Sequence, residues 1–288
     1  MKIKRSYRRR GSPDLPISVH FCDARVASHN PIPEYHPETE LVRVQQGHVV
    51  LQLDGVSHTF REGDIFLIPG NTIHHYQHIS EDAKYCCLFF STDAIAMQPE
   101  HFFQKNFVQP LSEGRLQLPA LLQPGHPAYD GICAQYDSLP SARMFTKDYQ
   151  TRRFSALINI CLLLQPYSSV ISQVQPLTDP GNTIVRLCMR YIHTYYADKI
   201  TLATLAQYCH VHPNYLCALF KSYTGQTVVD YLTRFRMETA GQLLKSEDIP
   251  AGKVCELVGY HSESHFYRKF KEIMGVSPKL YGKEHKNK

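Results

Sequence analysis

The chain of 288 residues contains no apolar stretch long enough to cross a membrane, no C-x-x-C pair and no high density of charge. The first absence excludes a membrane-spanning helix. The second, with an odd total of nine cysteines and Cys86 beside Cys87, excludes a disulfide framework. Cys161, Cys188, Cys209, Cys217 and Cys255 fall among apolar neighbours in helical patterns, where free cysteine acts as a small hydrophobe in a reducing cytoplasm. The first ten residues, MKIKRSYRRR, carry six positive charges with no apolar run behind them. They therefore read as a solvated tail and not a signal peptide, with a DNA-touching arm as the sharper alternative. Hydrophobic content of 43% against 20% charged describes an ordered globular chain, long enough for two domains.

What is present is a doubled phrase. Phe220-Lys221-x3-Gly225-x5-Tyr231 returns as Phe270-Lys271-x3-Gly275-x5-Tyr281, and each copy follows a helix-turn-helix pattern. Two such units one repeat apart can offer two recognition helices to one face of a duplex. Charge agrees. Residues 181–288 hold 15 Lys and Arg against 9 Asp and Glu, whereas residues 11–180 hold 10 against 17. A polyanionic partner is expected for the C-terminal part alone.

The expected fold is a multidomain α+β chain. Residues 1–16 are the basic tail. Residues 17–92 read as short antiparallel strands with close-set turns at Asp54-Gly55, Arg61–Asp64 and Pro69–Asn71, and so as a small barrel. Tyr85–Phe90 is a continuous apolar run within it. Residues 93–166 are helical, ending in a stripe of Phe154, Leu157, Ile158, Cys161, Leu162 and Leu164. That stripe either packs on the barrel or pairs with a second subunit. Residues 167–181 are a linker rich in proline and small polar residues, and 182–284 form an all-α DNA-binding domain.

In the first unit, the helix from Pro213 turns Leu216, Leu219 and Phe220 inward, leaving Asn214, Tyr215, Cys217, Ala218 and Lys221 outward. In the second, Ser262 caps a helix whose inner face is Phe266 and Phe270; outward stand Glu263, Ser264, Tyr267, Arg268 and Lys271, and His265 joins the DNA-contacting candidates. Arg268 suits guanine, Asn214 adenine and Glu263 cytosine, and Ser264 suits several bases. Cys217 and Ala218 can touch thymine methyls, and the two lysines suit phosphate or plain solvent.

The pattern from Ile200 through Leu205-Ala206, Phe220-Lys221, Tyr231-Leu232 and Arg236 to Leu243-Leu244 resembles the first half of an AraC/XylS-type DNA-binding domain. Ile249 through Gly259-Tyr260, Phe266, Phe270-Lys271, Gly275-Val276-Ser277-Pro278 and Tyr281 resembles its second half. The chain departs from that pattern at His212, where a capping Ser is usual, at Cys255, where a small Ala is usual, and at Gly282, where an Arg would add a backbone contact. Glu34-x-His36-x3-Glu40-x6-Gly47 and Gly63-x5-Pro69-x-Asn71-x2-His74 are similar to the two motifs of cupin barrels, with Glu34 replacing a His and Asn71 a Gly. The resemblance implies a non-enzymatic regulator acting as a homodimer on promoter DNA with RNA polymerase, and a small effector, a sugar favoured, held by Glu34, His36, Glu40, His74 and Tyr76. No cofactor and no metal ligand is assigned. A metal-binding cupin enzyme with a DNA-binding tail, and a regulator whose barrel is only a scaffold, stay open beside it.

Overall fold

The computed structural model describes residues 16–25, 32–139, 148–171, 180–246 and 249–286. The expected basic tail lies outside these except for its last residue. The chain forms two compact units that divide between Asp179 and Pro180.

The first unit opens with seven strands: β1 (Ile17–Asp23), β2 (Thr39–Gln46), β3 (His48–Leu53), β4 (Val56–Arg61), β5 (Ile65–Ile68), β6 (His74–Ile79) and β7 (Lys84–Phe90). Two shorter ones follow, β8 (Leu116–Gln117) and β9 (Leu121–Leu122). One sheet runs β1-β7-β2-β5-β9 and a second β4-β3-β6, every pairing antiparallel. Alternation along the strands decides what each face meets. Val42, Val44, Phe66, Tyr85, Cys87 and Phe89 of the larger sheet share a core with Val49, Leu51, Phe60 and Tyr76 of the smaller. Leu41, Ile65, Leu67, Cys86, Leu88 and Phe90 point the other way, beneath helices α1 (Gln109–Ser112), α2 (Tyr129–Ser138) and α3 (Tyr149–Leu164). Strand β7 is buried on both faces, which is why Tyr85–Phe90 reads as an unbroken apolar run. The turn at Asp54-Gly55 closes the β3–β4 hairpin with both residues at positive φ.

Three boundaries differ from expectation. The barrel sheet does not end at 92, because Leu121–Leu122 adds to β5. The segment assigned to a linker starts as structure: β10 (Ser169–Val170) pairs with β8, and the Ile171 amide donates to Arg115 O at 3.0 Å. Residues 172–179 lie outside the described ones. Helix α4 (Pro180–Tyr195) begins two residues early, since proline's fixed φ suits a first turn. On α3 the apolar stripe packs inward: Leu157, Cys161 and Leu164 are buried in the unit's own core, joined by Ala156 and Ile160, and only Leu162 is exposed.

The second unit continues with α5 (Leu202–Tyr208), α6 (Pro213–Thr224), α7 (Val228–Ser246), α8 (Ala251–Leu257), α9 (Glu263–Met274) and α10 (Pro278–Lys286). Among the described residues no helix is long and apolar enough to cross a membrane. The doubled phrase turns out to be one joint built twice. Phe220 meets Tyr231 edge-on with centroids 5.4 Å apart, and Phe270 meets Tyr281 at the same 5.4 Å. Gly225 and Gly275 end α6 and α9 at φ 70° and 80°, their amides donating to Lys221 O and Lys271 O. The hydroxyls of Thr227 and Ser277 then accept from the Asp230 and Leu280 amides, starting α7 and α10. Arg236 braces the unit, donating through Nε to Tyr196 O at 2.7 Å and through Nη2 to Asp198 O at 2.9 Å.

Gly259, in the turn of the second unit, has φ 80°, and a Cβ there would lie 2.5 Å from Ala197 O. Strain and overlap therefore add. Gly259→Ala is expected to destabilise the chain by about 2–4 kcal/mol, read as a lower urea midpoint.

Candidate functional site

The two recognition helices are positioned by caps. In the first unit His210 turns the chain at φ 55°, and His212 caps α6, its Nδ1 accepting from the Asn214 amide at 3.3 Å. Histidine thus does the work expected of the usual serine. Ser262 accepts from the His265 amide at 3.3 Å and caps α9. Leu216 and Phe220 on α6, and Phe266 and Phe270 on α9, are buried; Leu219 is only half-buried. Asn214, Tyr215, Cys217, Ala218 and Lys221 are exposed on α6, and Glu263, Ser264, His265, Arg268 and Lys271 on α9; Tyr267, expected outward, is half-buried with its ring edge-on to Phe266 at 5.8 Å. Asn214, Cys217, Ala218 and Lys221 also line a cleft of about 380 Å³ with Thr227 and Val228. Those last two escaped the sequence reading, although Thr227 is the second residue of the x5 spacer that the repeat aligns with Ser277. Glu263 is less independent than expected: a Cβ on Gly252 would lie 2.6 Å from its Oε1, so its carboxylate overlies the first turn of α8.

In the barrel unit the five expected residues converge. Glu34 and His74 sit opposite each other in an isolated bridge, exchanging both backbone hydrogen bonds at 2.9 Å. Asn71, in place of a glycine, holds φ 67°, a region asparagine tolerates, and so preserves the turn that delivers His74. His36, Glu40 and His74 are 5%, 2% and 1% exposed, with donor atoms within 4.8 Å of one another. His36 Nδ1–H donates to Glu38 O at 2.9 Å and His74 Nδ1–H to Thr72 O at 3.0 Å. Both Nε2 atoms then face the carboxylates: His36 to Glu40 Oε2 at 3.6 Å, His74 to the same oxygen at 3.7 Å and to Glu34 Oε1 at 3.8 Å. These separations exceed a hydrogen bond, and neither Nε2 has any other partner. Tyr76 Oη reaches Glu40 Oε1 at 3.4 Å.

Two further neighbours went unread in the sequence. Glu38 is 3% exposed with Oε2 3.6 Å from His36 Nδ1, and Cys87 Sγ lies 3.9 Å from Tyr76 Oη. The alternation of β7, which sends residues 85, 87 and 89 inward, is the signal that could have found Cys87.

Comparison with known proteins returns the same two parts. A helix-turn-helix domain model matches residues 205–284, and a cupin domain model matches residues 26–89. The RCS-specific transcriptional activator RclR of Escherichia coli K12 is 27% identical over 255 residues, covering 82% of this chain and 81% of its own. The arabinose operon regulatory protein of Salmonella typhimurium is 27% identical over 241 residues, covering 81% and 79%. The solved C-terminal domain of AraT, a response regulator from Geobacillus stearothermophilus, is 34% identical over 38% of this chain and 88% of that one, with a TM-score of 0.35.

Electrostatics of the barrel cluster follow from burial against partnership. Burial raises the Glu40 carboxyl, but the nearby His36 imidazole and the charge of His74 outweigh it, and the net shift is down. Burial lowers the His74 imidazole, but Glu34 and Glu40 outweigh it, and the net shift is up. A raised imidazole stabilises the fold fully below its ordinary 6.5 and loses that contribution as pH climbs through its folded value. A lowered carboxyl does the reverse, contributing above its ordinary 4.5 and failing as pH falls through its folded value. With metal ions chelated, the cluster therefore supports the barrel best in mildly acidic solution. Thermal melts of wild type should lose stability more steeply as pH rises above the ordinary imidazole value of 6.5 than those of Glu40→Gln, which removes His74's buried carboxylate partner.

Proposed function

We propose that this chain, which belongs to the AraC/XylS family of DNA-binding transcription regulators, is switched by a small effector held at the His36–Glu40–His74 cluster of its cupin domain. On the DNA side, what supports the assignment of readers is the exposure of every DNA-contacting candidate on α6 and α9 above matched, buried joints. Arg268 reads guanine with both guanidinium nitrogens, and Asn214 reads adenine. Ser264 and His265 add contacts beside Arg268. Tyr215, Cys217 and Ala218 give α6 an apolar approach to thymine, while Lys221 and Lys271 hold phosphates. Glu263 contributes less than its position suggests, because its carboxylate already overlies α8. The regulator acts in the cytoplasm as a homodimer that engages RNA polymerase.

On the effector side, one observation carries the reading: two buried imidazole nitrogens face one buried carboxylate oxygen at 3.6 and 3.7 Å. No sugar ring fits among atoms so spaced; it would have to lie on the Glu34 side. A single cation does fit. A point equidistant from three atoms with those spacings, all within 4.8 Å, lies roughly 2.1–2.4 Å from each, against roughly 2.0–2.2 Å for metal bonds to imidazole and carboxylate. The carbonyls of Glu38 and Thr72 already fix both rings in the tautomer that leaves Nε2 free to ligate. The geometry therefore favours a divalent metal ion over the sugar that the resemblance implies. Bound, the ion supplies the positive charge that the buried carboxylates lack. An effector shifts promoter binding only by favouring one arrangement of the protein, and coupling of about 1–3 kcal/mol suffices.

Two measurements test these assignments. Arg268→Ala should cost about 1–3 kcal/mol on the preferred operator and relax base preference at one position, whereas Lys271→Ala weakens all sequences alike. If neither Arg268→Ala nor Asn214→Ala alters preference, the reader assignment is wrong. In a thermal-shift panel of sugars and divalent ions, an ion at 100 times its Kd should add about 2.7 kcal/mol of apparent stability. A sugar that stabilises the chelated protein while no ion does would return the effector to the sugar class.

A further inference from the structure

Three side chains of the barrel cluster converge on one point and a fourth, Glu34, flanks it from the His74 side. His36, Glu40 and His74 are sealed from water, while Glu34 is 38% exposed, with Oε1 3.8 Å from His74 Nε2. Its backbone is pinned by the reciprocal bonds to His74, so the carboxylate hangs at the water side of the cluster from a fixed point. With both imidazoles donating Nδ1–H to carbonyls, their Nε2 atoms are neutral donors. Glu34 and Glu40 then carry the charge of the set, and two carboxylates balance one divalent cation.

We propose that Glu34 is the specificity-determining residue of this site: it makes the donor set two nitrogens and two oxygens, and so directs the site toward Mn2+ relative to Zn2+. Carboxylate oxygen suits harder ions such as manganese, and imidazole suits zinc, copper, iron and nickel, so selectivity between manganese and zinc follows the ratio of the two donor types. An imidazole at position 34 would leave three nitrogens and one carboxylate as ligands, with one negative charge fewer around a bound divalent ion. Glu34 also gives an entering ion its water-side ligand, because the other three donors are closed off. The inference rests on the reading of the cluster as an ion site.

The test uses the full-length protein, stripped with chelator and titrated separately with MnCl2 and ZnCl2 in wild type, Glu34→His and Glu34→Gln. Bound metal per chain is measured directly, and the manganese spins are followed by electron paramagnetic resonance. Wild type should bind one ion per chain. Glu34→His should shift the zinc-to-manganese affinity ratio toward zinc by about tenfold or more, the scale on which changes around a metal site move affinity. Glu34→Gln, nearly isosteric, should weaken manganese more than zinc, and it carries the test if the histidine variant does not fold. An unchanged ratio in the variants that bind overturns the role of Glu34 and leaves the ion site standing. Failure of wild type to bind either ion at one per chain removes the ion reading itself, and this inference with it.

Discussion

The edge-on contact between a buried phenylalanine and a buried tyrosine, made once at Phe220–Tyr231 and again at Phe270–Tyr281, is the joint on which the DNA-binding unit depends. In each copy the phenylalanine belongs to a recognition helix and the tyrosine to the helix that follows. The glycine between them ends the first helix in a left-handed turn, and a hydroxyl two residues on starts the next. Burying such rings contributes about 1.5–3 kcal/mol each, but the geometric consequence matters more. Each joint fixes the rotation of its recognition helix about its own axis. Five chosen side chains on each helix can then be outward only because Phe220 or Phe270 is inward.

The barrel unit is governed by a different constraint. Strand β7 is apolar on both faces, one toward the shared interior of the two sheets and one toward the helices. Such a strand leaves little room for charge, yet Glu38, Glu40, His36 and His74 are all nearly sealed beside it. Buried carboxylates need partners. Beside the Tyr76 hydroxyl on Glu40 Oε1, the partner within the cluster is imidazole, whose outward nitrogen can present either a proton or a lone pair. Protonated, it satisfies Glu40; neutral, it sets lone pair against lone pair. The arrangement is therefore one that wants a cation at its centre, and a proton and a metal ion are alternative ways to provide it.

Much of this was legible in the residues. The repeat at an offset of 50 positions exposed the joints, because only a packing rule applied twice keeps Phe, Lys, Gly and Tyr in step. Helical periodicity separated Phe266 and Phe270 from Arg268 without any structure. The motif spacing also brought Glu34, His36, Glu40, His74 and Tyr76 together as five residues from separate strands and turns. Other features were out of reach. Two-residue strands such as Ser169–Val170 have no periodicity to read, and their pairing with Leu116–Gln117 is set by tertiary contact alone. The lean of Glu263 onto Gly252 depends on the approach of two helices, which spacing within one helix does not encode. Nor could spacing tell a pocket from an ion site, since that distinction lies in separations of a few tenths of an ångström and in which ring nitrogen a carbonyl occupies.

The two recognition helices make the same use of their inner faces and opposite use of their outer ones. On α6 the outward residues after Asn214 and Tyr215 are Cys217 and Ala218, short side chains that bring the backbone close and carry little hydrogen-bonding capacity. On α9 the corresponding surface carries Ser264, His265 and Arg268, which offer directional donors. A helix of the first kind gains from shape and methyl contact; one of the second gains from paired hydrogen bonds and loses heavily when a base edge is wrong. Repetition of the scaffold with divergence of its surface lets one polypeptide divide its task. Under the proposed assignment, the matched joints hold both outer faces clear of the core, and base discrimination by hydrogen bonds falls mainly to α9.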